Sequence, residues 1–252
     1  MCKHIDLNCD MGESFGAYTL GDDAALMDYV SSVNIACGFH AGDALVMQRT
    51  VELASQKGLA IGAHPGYPDL QGFGRRSMQL DADEVYAIVL YQVGALRAFA
   101  HAAGTRLTHV KPHGALYNAA ARDAMLATAI AEAVRAVGDD LLLVGLSGSC
   151  LIDAGKAAGL RTASEVFADR TYQDDGKLTP RTAAGALVTD AGAAVRQVLQ
   201  MVLASTVTSV SGKEIPVVAD TVCIHGDGAH AFAFARLLSE QLQYNNVSIK
   251  HP

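Results

Sequence analysis

Several short apolar runs in this chain end in residues able to move protons or hold cations. The first, around Ile5 to Met11, ends with Asp10 and Glu13. Later runs end with His40 and Asp43, with His64, with Lys111 and His113, with Glu165, Asp169 and Arg170, and with His225 and Asp227. Carboxylates beside histidines can activate water as general bases. They can also hold a divalent metal, for which Asp10, His40 and His64 are the candidate ligands, or a Mg²⁺ bridging a phosphate. Lys111 and Arg170 can neutralise a carboxylate or a phosphate. Asn8 and Asn34 can donate hydrogen bonds to an oxyanion, and Arg75 stands in a loop from which it can reach a ligand. Of the nine histidines, His40, His64, His113 and His225 occupy equivalent positions after such runs, a recurrence hard to assign to chance.

The elements that must position these groups follow from periodicity. Asp6, Asn8 and Asp10 alternate with Ile5, Leu7, Cys9 and Met11, as in a strand with one polar and one apolar face. The same parity joins Asn34, Gly38 and His40; Gly62 and His64; His109, Lys111 and His113; Glu165 and Asp169; and Cys223, His225 and Asp227. Further strands are expected at 33–40, 59–64, 108–113, 141–145, 162–169 and 222–225, with a small extra one at 217–219. Helices are expected over 22–30, 44–57, 81–103, 119–137, 150–158, 183–204 and 229–242. Asp43 reads as the N-cap of the helix at 44, and Asp81 with Glu84 as a capping box. The loops 66–76 and 169–181 are long, polar and rich in glycine or proline, as functional loops often are.

Strands alternating with helices imply βαβ units and a parallel sheet. At 252 residues, one α/β domain spanning 1–252 is expected, a barrel of seven or eight strands, with an open doubly wound sheet as the alternative. In a barrel the C-terminal strand ends converge on one rim, which would gather these acids, histidines and the lysine.

Composition excludes several classes. Net charge is −7 and no Lys/Arg cluster occurs, so nucleic-acid binding is not expected. No run of about 18 apolar residues predicts a membrane span, and Asp6 and Asp10 interrupt any signal-peptide layout, which makes the cytoplasm the expected location. Five cysteines without a C-x-x-C pair argue against a disulfide framework or a cysteine zinc site, and Cys9, Cys37 and Cys223, within expected strands, read as buried apolar side chains. A P-loop, a G-x-G-x-x-G turn after a strand and a G-x-S-x-G elbow are all absent.

Six blocks in order, DLNCDMGE (6–13), VNIACGFHAGD (33–43), GAHPGYPD (62–69), VKPHGALYN (110–118), EVFADRTY (165–172) and IHGDG (224–228), resemble the LamB/YcsF family, that of the A subunit of the prokaryotic ATP-dependent 5-oxoprolinase. The resemblance implies a (β/α)7-type barrel related to polysaccharide deacetylases. It also implies opening of the 5-oxo-L-proline lactam to L-glutamate, driven by ATP with Mg²⁺, alongside two partner subunits. Asp10 and Glu13 would then activate water or hold a metal, and His40, His64 and His225 would serve as acid/base groups or ligands. Lys111 or Arg170 would bind the substrate carboxylate or phosphate. Two other readings stand beside this one: a metal-dependent deacetylase or amidohydrolase of the same fold, and a non-catalytic substrate-binding subunit.

Overall fold

The computed structural model describes residues 3–138, 140–224 and 231–252. The strands are β1 (Lys3–Met11), β2 (Ser32–Ala36), β3 (Ala60–His64), β4 (Leu107–Val110), β5 (Leu142–Leu146), β6 (Arg161–Phe167), β7 (Thr206–Thr208), β8 (Glu214–Pro216), β9 (Thr221–Ile224) and β10 (Val247–Ile249). The helices are α1 (Asp23–Leu26), α2 (Ala44–Gln56), α3 (Ala82–Ala102), α4 (Gly114–Ala120), α5 (Ala124–Val137), α6 (Cys150–Ala157), α7 (Ala191–Leu199) and α8 (Ala231–Tyr244). A π-helical turn over Gln200–Ala204 extends α7.

Seven parallel strands run in the order β1-β2-β3-β4-β5-β6-β9, and pairing of β9 with β1 closes them into a barrel. That closure excludes the open doubly wound sheet. β10 lies parallel to Lys3, His4 and Ile5 at the start of β1, and β7 and β8 form a separate antiparallel hairpin.

The period-2 pattern of the strands sorts the side chains. Ile5, Leu7, Cys9 and Met11 join Val33, Ile35, Ile61, Val110, Leu143 and Val166 in the main core, packed with the helices. Each such aliphatic residue contributes about 1.5–3 kcal/mol when fully buried. The opposite face of the strands looks into the barrel. On β5 and β6 it holds a small separate apolar cluster of Leu142, Val144 and Ala163. Elsewhere it is polar: the Asp6 carboxylate accepts from the hydroxyls of Ser31, Ser32 and Thr221. Burial raises the pKa of that carboxyl against the pull of those hydroxyls.

Several elements differ from the sequence expectation for local reasons. The helix expected at 119–137 is two, because the Asp123 carboxylate accepts from the N–H groups of Met125 and Leu126 and starts a new helix there. The helix expected from 183 begins only at Ala191, where Asp190 caps it through Ala193 N–H. Residues before it stay in a loop bridged to the 170s, with Arg170 opposite Leu187. The helix at 22–30 contracts to Asp23–Leu26, and Asp23 Oδ2 is drawn to Gly12 N–H at 2.8 Å. No strand forms at 217–219; the extra strands are β7, β8 and β10. The capping box at Asp81 and Glu84 is present and opens α3. α3 is the one described helix long and apolar enough to cross a membrane by length and composition, but its stripe of Val85, Val89, Val93 and Leu96 is buried in the main core.

Candidate active site

The C-terminal ends of β1 to β4 and β6 bring the acids, histidines and lysine of the sequence motifs together. At the centre of this set is Lys111, immediately after β4 and 2 % exposed. Its Nζ donates to Asp10 Oδ1 at 2.9 Å, to Asn8 Oδ1 at 3.0 Å and to Cys223 Sγ at 3.2 Å, and it lies 2.8 Å from Glu165 Oε1. Burial opposes the ammonium charge, yet the carboxylates of Asp10 and Glu165 hold its pKa well above the ordinary lysine range. Burial also pushes the Cys223 thiol well up, and that of Cys37 to about 12. Both sulfurs therefore stay protonated and act as buried small side chains.

The two asparagines are consumed inside the protein. Asn8 Nδ2 donates to Glu165 Oε1 at 3.0 Å and to Thr221 Oγ1 at 2.7 Å. Asn34 Nδ2 donates to Asn8 Oδ1 at 2.8 Å and to Asp10 Oδ1 at 2.9 Å. An amide nitrogen has two donors, so neither has one left for an oxyanion. Their observed work is to orient Asp10, Glu165 and Lys111.

His109 completes this buried layer. Gly62 on β3 makes room for it: a Cβ there would meet His109 Nε2 at 2.0 Å. His109 Nε2 lies 2.9 Å from Asn34 Oδ1, so it carries the proton, and Nδ1 lies 2.8 Å from the Thr108 hydroxyl. Burial first and Lys111 second lower its pKa to about 3.

Toward the rim stand three more imidazoles. His40 and His113 stack with centroids 3.7 Å apart, and His64 meets both edge-on at 5.4 and 4.8 Å. Glu13 Oε1 is 3.5 Å from His40 Nε2 and 3.8 Å from His113 Nδ1. Asp10 Oδ2 is 3.2 Å from His64 Nε2. Burial, followed by the neighbouring imidazoles, keeps His40 well below the ordinary histidine pKa; burial, then His64, lowers His113 to about 3. Glu13, His40, His64 and His113 together present a set able to hold a metal ion, their ligand atoms all within 4.8 Å of one another. This set differs from the expected trio of Asp10, His40 and His64: Asp10 spends Oδ1 on Lys111 and Asn34, while Glu13 and His113 close around His40.

The glycine-rich loop holds these rings in place. Phe73 adopts φ 55° and its carbonyl accepts from His113 Nε2 at 2.9 Å. Gly74 follows at φ +60°, where a Cβ would press on His40 at 2.7 Å and on His113 at 2.9 Å. From α3, Gln92 reaches Gly66: its Oε1 accepts from Gly66 N–H and its Nε2 donates to Gly66 O, both at 2.9 Å. Neither Phe73 nor Gln92 was singled out by sequence reasoning. Gln92 leaves a signal, being polar within the buried stripe of α3; a backbone carbonyl such as that of Phe73 leaves none.

A cavity of about 580 Å³ opens over this set, lined by Asp10, Glu13, His64, Lys111 and His113. Arg75, Arg122, Arg170 and Arg181 also line it, with Tyr117, Phe167 and Thr179. The volume suits a small metabolite. Arg170 is buried and donates to the carbonyls of Thr179 and Ala186; burial, then the charge of Arg181, lowers its pKa to about 10. Arg75 also stacks over Phe73 at 4.9 Å, whereas its neighbour Arg76 pairs with Asp69. Asp43 is not among the lining residues. Its Oδ1 caps α2 through Leu45 and Val46 N–H, and its Oδ2 takes Gly16 N–H at 2.7 Å. His225 and Asp227 lie outside the described residues.

The chain is similar to known proteins in sequence and in fold. The chain is 61% identical over 250 residues to the A subunit of 5-oxoprolinase from Geobacillus kaustophilus, covering 99% of this chain and 97% of that one. The crystal structure of the lactam utilization protein from Thermus thermophilus superposes with a TM-score of 0.94 at 47% identity, over 99% of this chain and 100% of the other. A more distant likeness, to T48 deacetylase (TM-score 0.51, 15% identity, 99% and 88% covered), is one of fold alone. A sequence model of the LamB/YcsF family matches residues 5–252, and with this match and these relatives the chain belongs to the LamB/YcsF family.

Proposed function

We propose that the chain is the A subunit of a cytoplasmic, ATP-dependent 5-oxoprolinase that hydrolyses the lactam of 5-oxo-L-proline to L-glutamate, with ATP, Mg²⁺ and two partner subunits completing the reaction. The observation that carries this reading is the pairing of chemistries in one small cavity: the Asp10 carboxylate, fixed by Lys111, beside a wall containing four arginines. The relatives named for 5-oxoprolinase and for lactam utilization support the substrate class.

A lactam carbon is a poor electrophile because the ring nitrogen shares its lone pair with it. Phosphorylation of the carbonyl oxygen by ATP withdraws that density. A water deprotonated by Asp10 then adds to the ring carbon. The C–N bond breaks, the nitrogen leaves as an amine that takes a proton, and an acyl phosphate remains. A second water cleaves that phosphate, so ATP and two waters yield ADP, phosphate and glutamate. Asp10 is suited to the base role because Oδ1 is anchored by Lys111 and Asn34 while Oδ2 is directed toward His64. Arg170 and Arg75 receive the substrate carboxylate and the phosphoryl oxygens.

The test is glutamate release from 5-oxoproline and ATP by the complex reconstituted with its two partner subunits. Omission of this chain is expected to abolish release, and Asp10→Asn to lower it by ~10²–10⁴-fold, the usual worth of a general base. Turnover by Asp10→Asn near that of the wild type would remove Asp10 from the mechanism.

A further inference from the structure

His64 and His113 are each gripped from behind by a backbone carbonyl. His64 Nδ1 is 2.7 Å from Lys111 O, and His113 Nε2 is 2.9 Å from Phe73 O. A carbonyl only accepts, so each of those nitrogens carries its proton, and in a neutral ring the other nitrogen is then a bare lone pair. These two inner nitrogens, His64 Nε2 and His113 Nδ1, face each other at 2.9 Å. Asp10 Oδ2, another acceptor, stands 3.2 Å from His64 Nε2. The buried His40 ring is stacked on His113, and neither of its nitrogens has a hydrogen-bond partner among the described residues. Acceptor atoms therefore converge on one point.

One extra proton on His64 Nε2 would resolve its contact with His113. It would leave His40, whose nitrogens form no hydrogen bond to either ring, still unpaired. A single cation engages all three rings and the Glu13 carboxylate at once. We propose that Glu13, His40, His64 and His113 bind one divalent transition-metal ion of the zinc class, with the carbonyls of Lys111 and Phe73 fixing the tautomers of two of its ligands. Three imidazoles and one carboxylate are the donors such ions take, and a ligating histidine ordinarily gives its other N–H to a carbonyl or carboxylate. Mg²⁺ and Ca²⁺ prefer oxygen ligands, so this site is distinct from that of the Mg²⁺ accompanying ATP. Because Glu13, His64 and His113 also line the cavity, the ion faces the space a substrate occupies.

The experiment uses the full chain, without 5-oxoproline, ATP or partners, so its outcome is independent of the lactam reading. Protein is stripped with a chelator and titrated with Co²⁺ and Zn²⁺, following Co²⁺ visible absorption, metal content per chain and thermal melting. One ion per chain, a d–d spectrum of nitrogen and oxygen donors and a raised melting temperature are expected. His113→Gln and His64→Gln are each expected to weaken binding by at least ~100-fold, the upper range for losing a mere ligand-orienting partner. His101→Ala, exposed on α3, leaves binding intact. Absence of Co²⁺ and Zn²⁺ binding by the wild type overturns the proposal, as does binding unchanged in both glutamine variants. Should those variants not fold, paramagnetically shifted imidazole N–H resonances from three histidines in the Co²⁺-loaded wild type support it, and resonances from none overturn it.

Discussion

Lys111 and Asp10 are locked together at 2.9 Å across the barrel interior, and the contact divides the Asp10 carboxylate into an anchored oxygen and one directed toward His64. Lys111 simultaneously neutralises Glu165, which is fully buried. Removing the ammonium takes from Asp10 and from the buried Glu165 the cation they share, a loss worth ~3–5 kcal/mol. Lys111→Met, which preserves length, is expected to lose about that much in urea unfolding. Lys111→Met combined with Glu165→Gln should recover part of it, since one of the stranded charges is gone. A single variant as stable as the wild type would mean that water, not Lys111, solvates these carboxylates.

His109 makes acid stability a readable property of this interior. Its folded pKa, lowered to about 3 by burial and by Lys111, lies below the ordinary 6.5. Between those values the unfolded chain binds the proton and the folded one does not. Stability therefore falls as pH drops through that window, by up to ~1.4 kcal/mol per pH unit for one proton. His109→Gln removes this proton and should flatten the acid limb by about that slope when denaturant unfolding is measured at pH values inside the window. An unchanged slope would show that His109 takes up its proton in the folded state as well.

Much of this arrangement was visible in the residues alone because strand parity is a rigid code. Alternation in 5–11 placed Asp6, Asn8 and Asp10 on one face, and the barrel interior is where they lie. His40, His64, Lys111 and His113 follow strand ends, and closure of the barrel gathers them. What parity cannot show is which atom pairs with which. Asn8 and Asn34 have the donors of an oxyanion site, but both spend them on neighbouring side chains. Asp43 was legible as the cap of α2 and serves as one, and the structure does not place it on the cavity as a ligand-binding acid. The break between α4 and α5 was hidden in an alanine-rich run, where helix propensity is high throughout and only Asp123 marks the restart. Three-residue strands such as β10 carry too few residues for any period to register.

The fit of His109 against Gly62 yields a sharper test of the interior. Gly62→Ala puts a methyl group where the imidazole sits, and such overpacking costs typically ~1–3 kcal/mol. The ring cannot withdraw without giving up its hydrogen bond to Asn34. His109→Ala opens a space the new methyl can occupy, so Gly62→Ala/His109→Ala is expected to be less destabilised than the sum of the single variants. Strict additivity in chemical denaturation would show that the two positions do not compete for the same volume.

Gln92 reaches the site from a helix that contributes no catalytic group. Its carboxamide holds both the N–H and the C=O of Gly66, two residues beyond His64, and Gly66 is buried. Leucine at this position would match the apolar stripe of α3 but strand both backbone groups, each costing ~1–3 kcal/mol when left unpaired away from water. Gln92→Leu is therefore expected to lower stability by ~2 kcal/mol or more and to speed amide hydrogen exchange at Gly66 more than at the amides of α3. The loop would then pack less tightly against His40, whose Nδ1 lies 2.7 Å from where a Gly66 Cβ would stand. Metal affinity should fall with it. If Gly66 exchanges at its wild-type rate in Gln92→Leu, the hydrogen bond from His113 N–H to Pro65 O is enough to fix this segment, and Gln92 serves only to fill the helix–barrel interface.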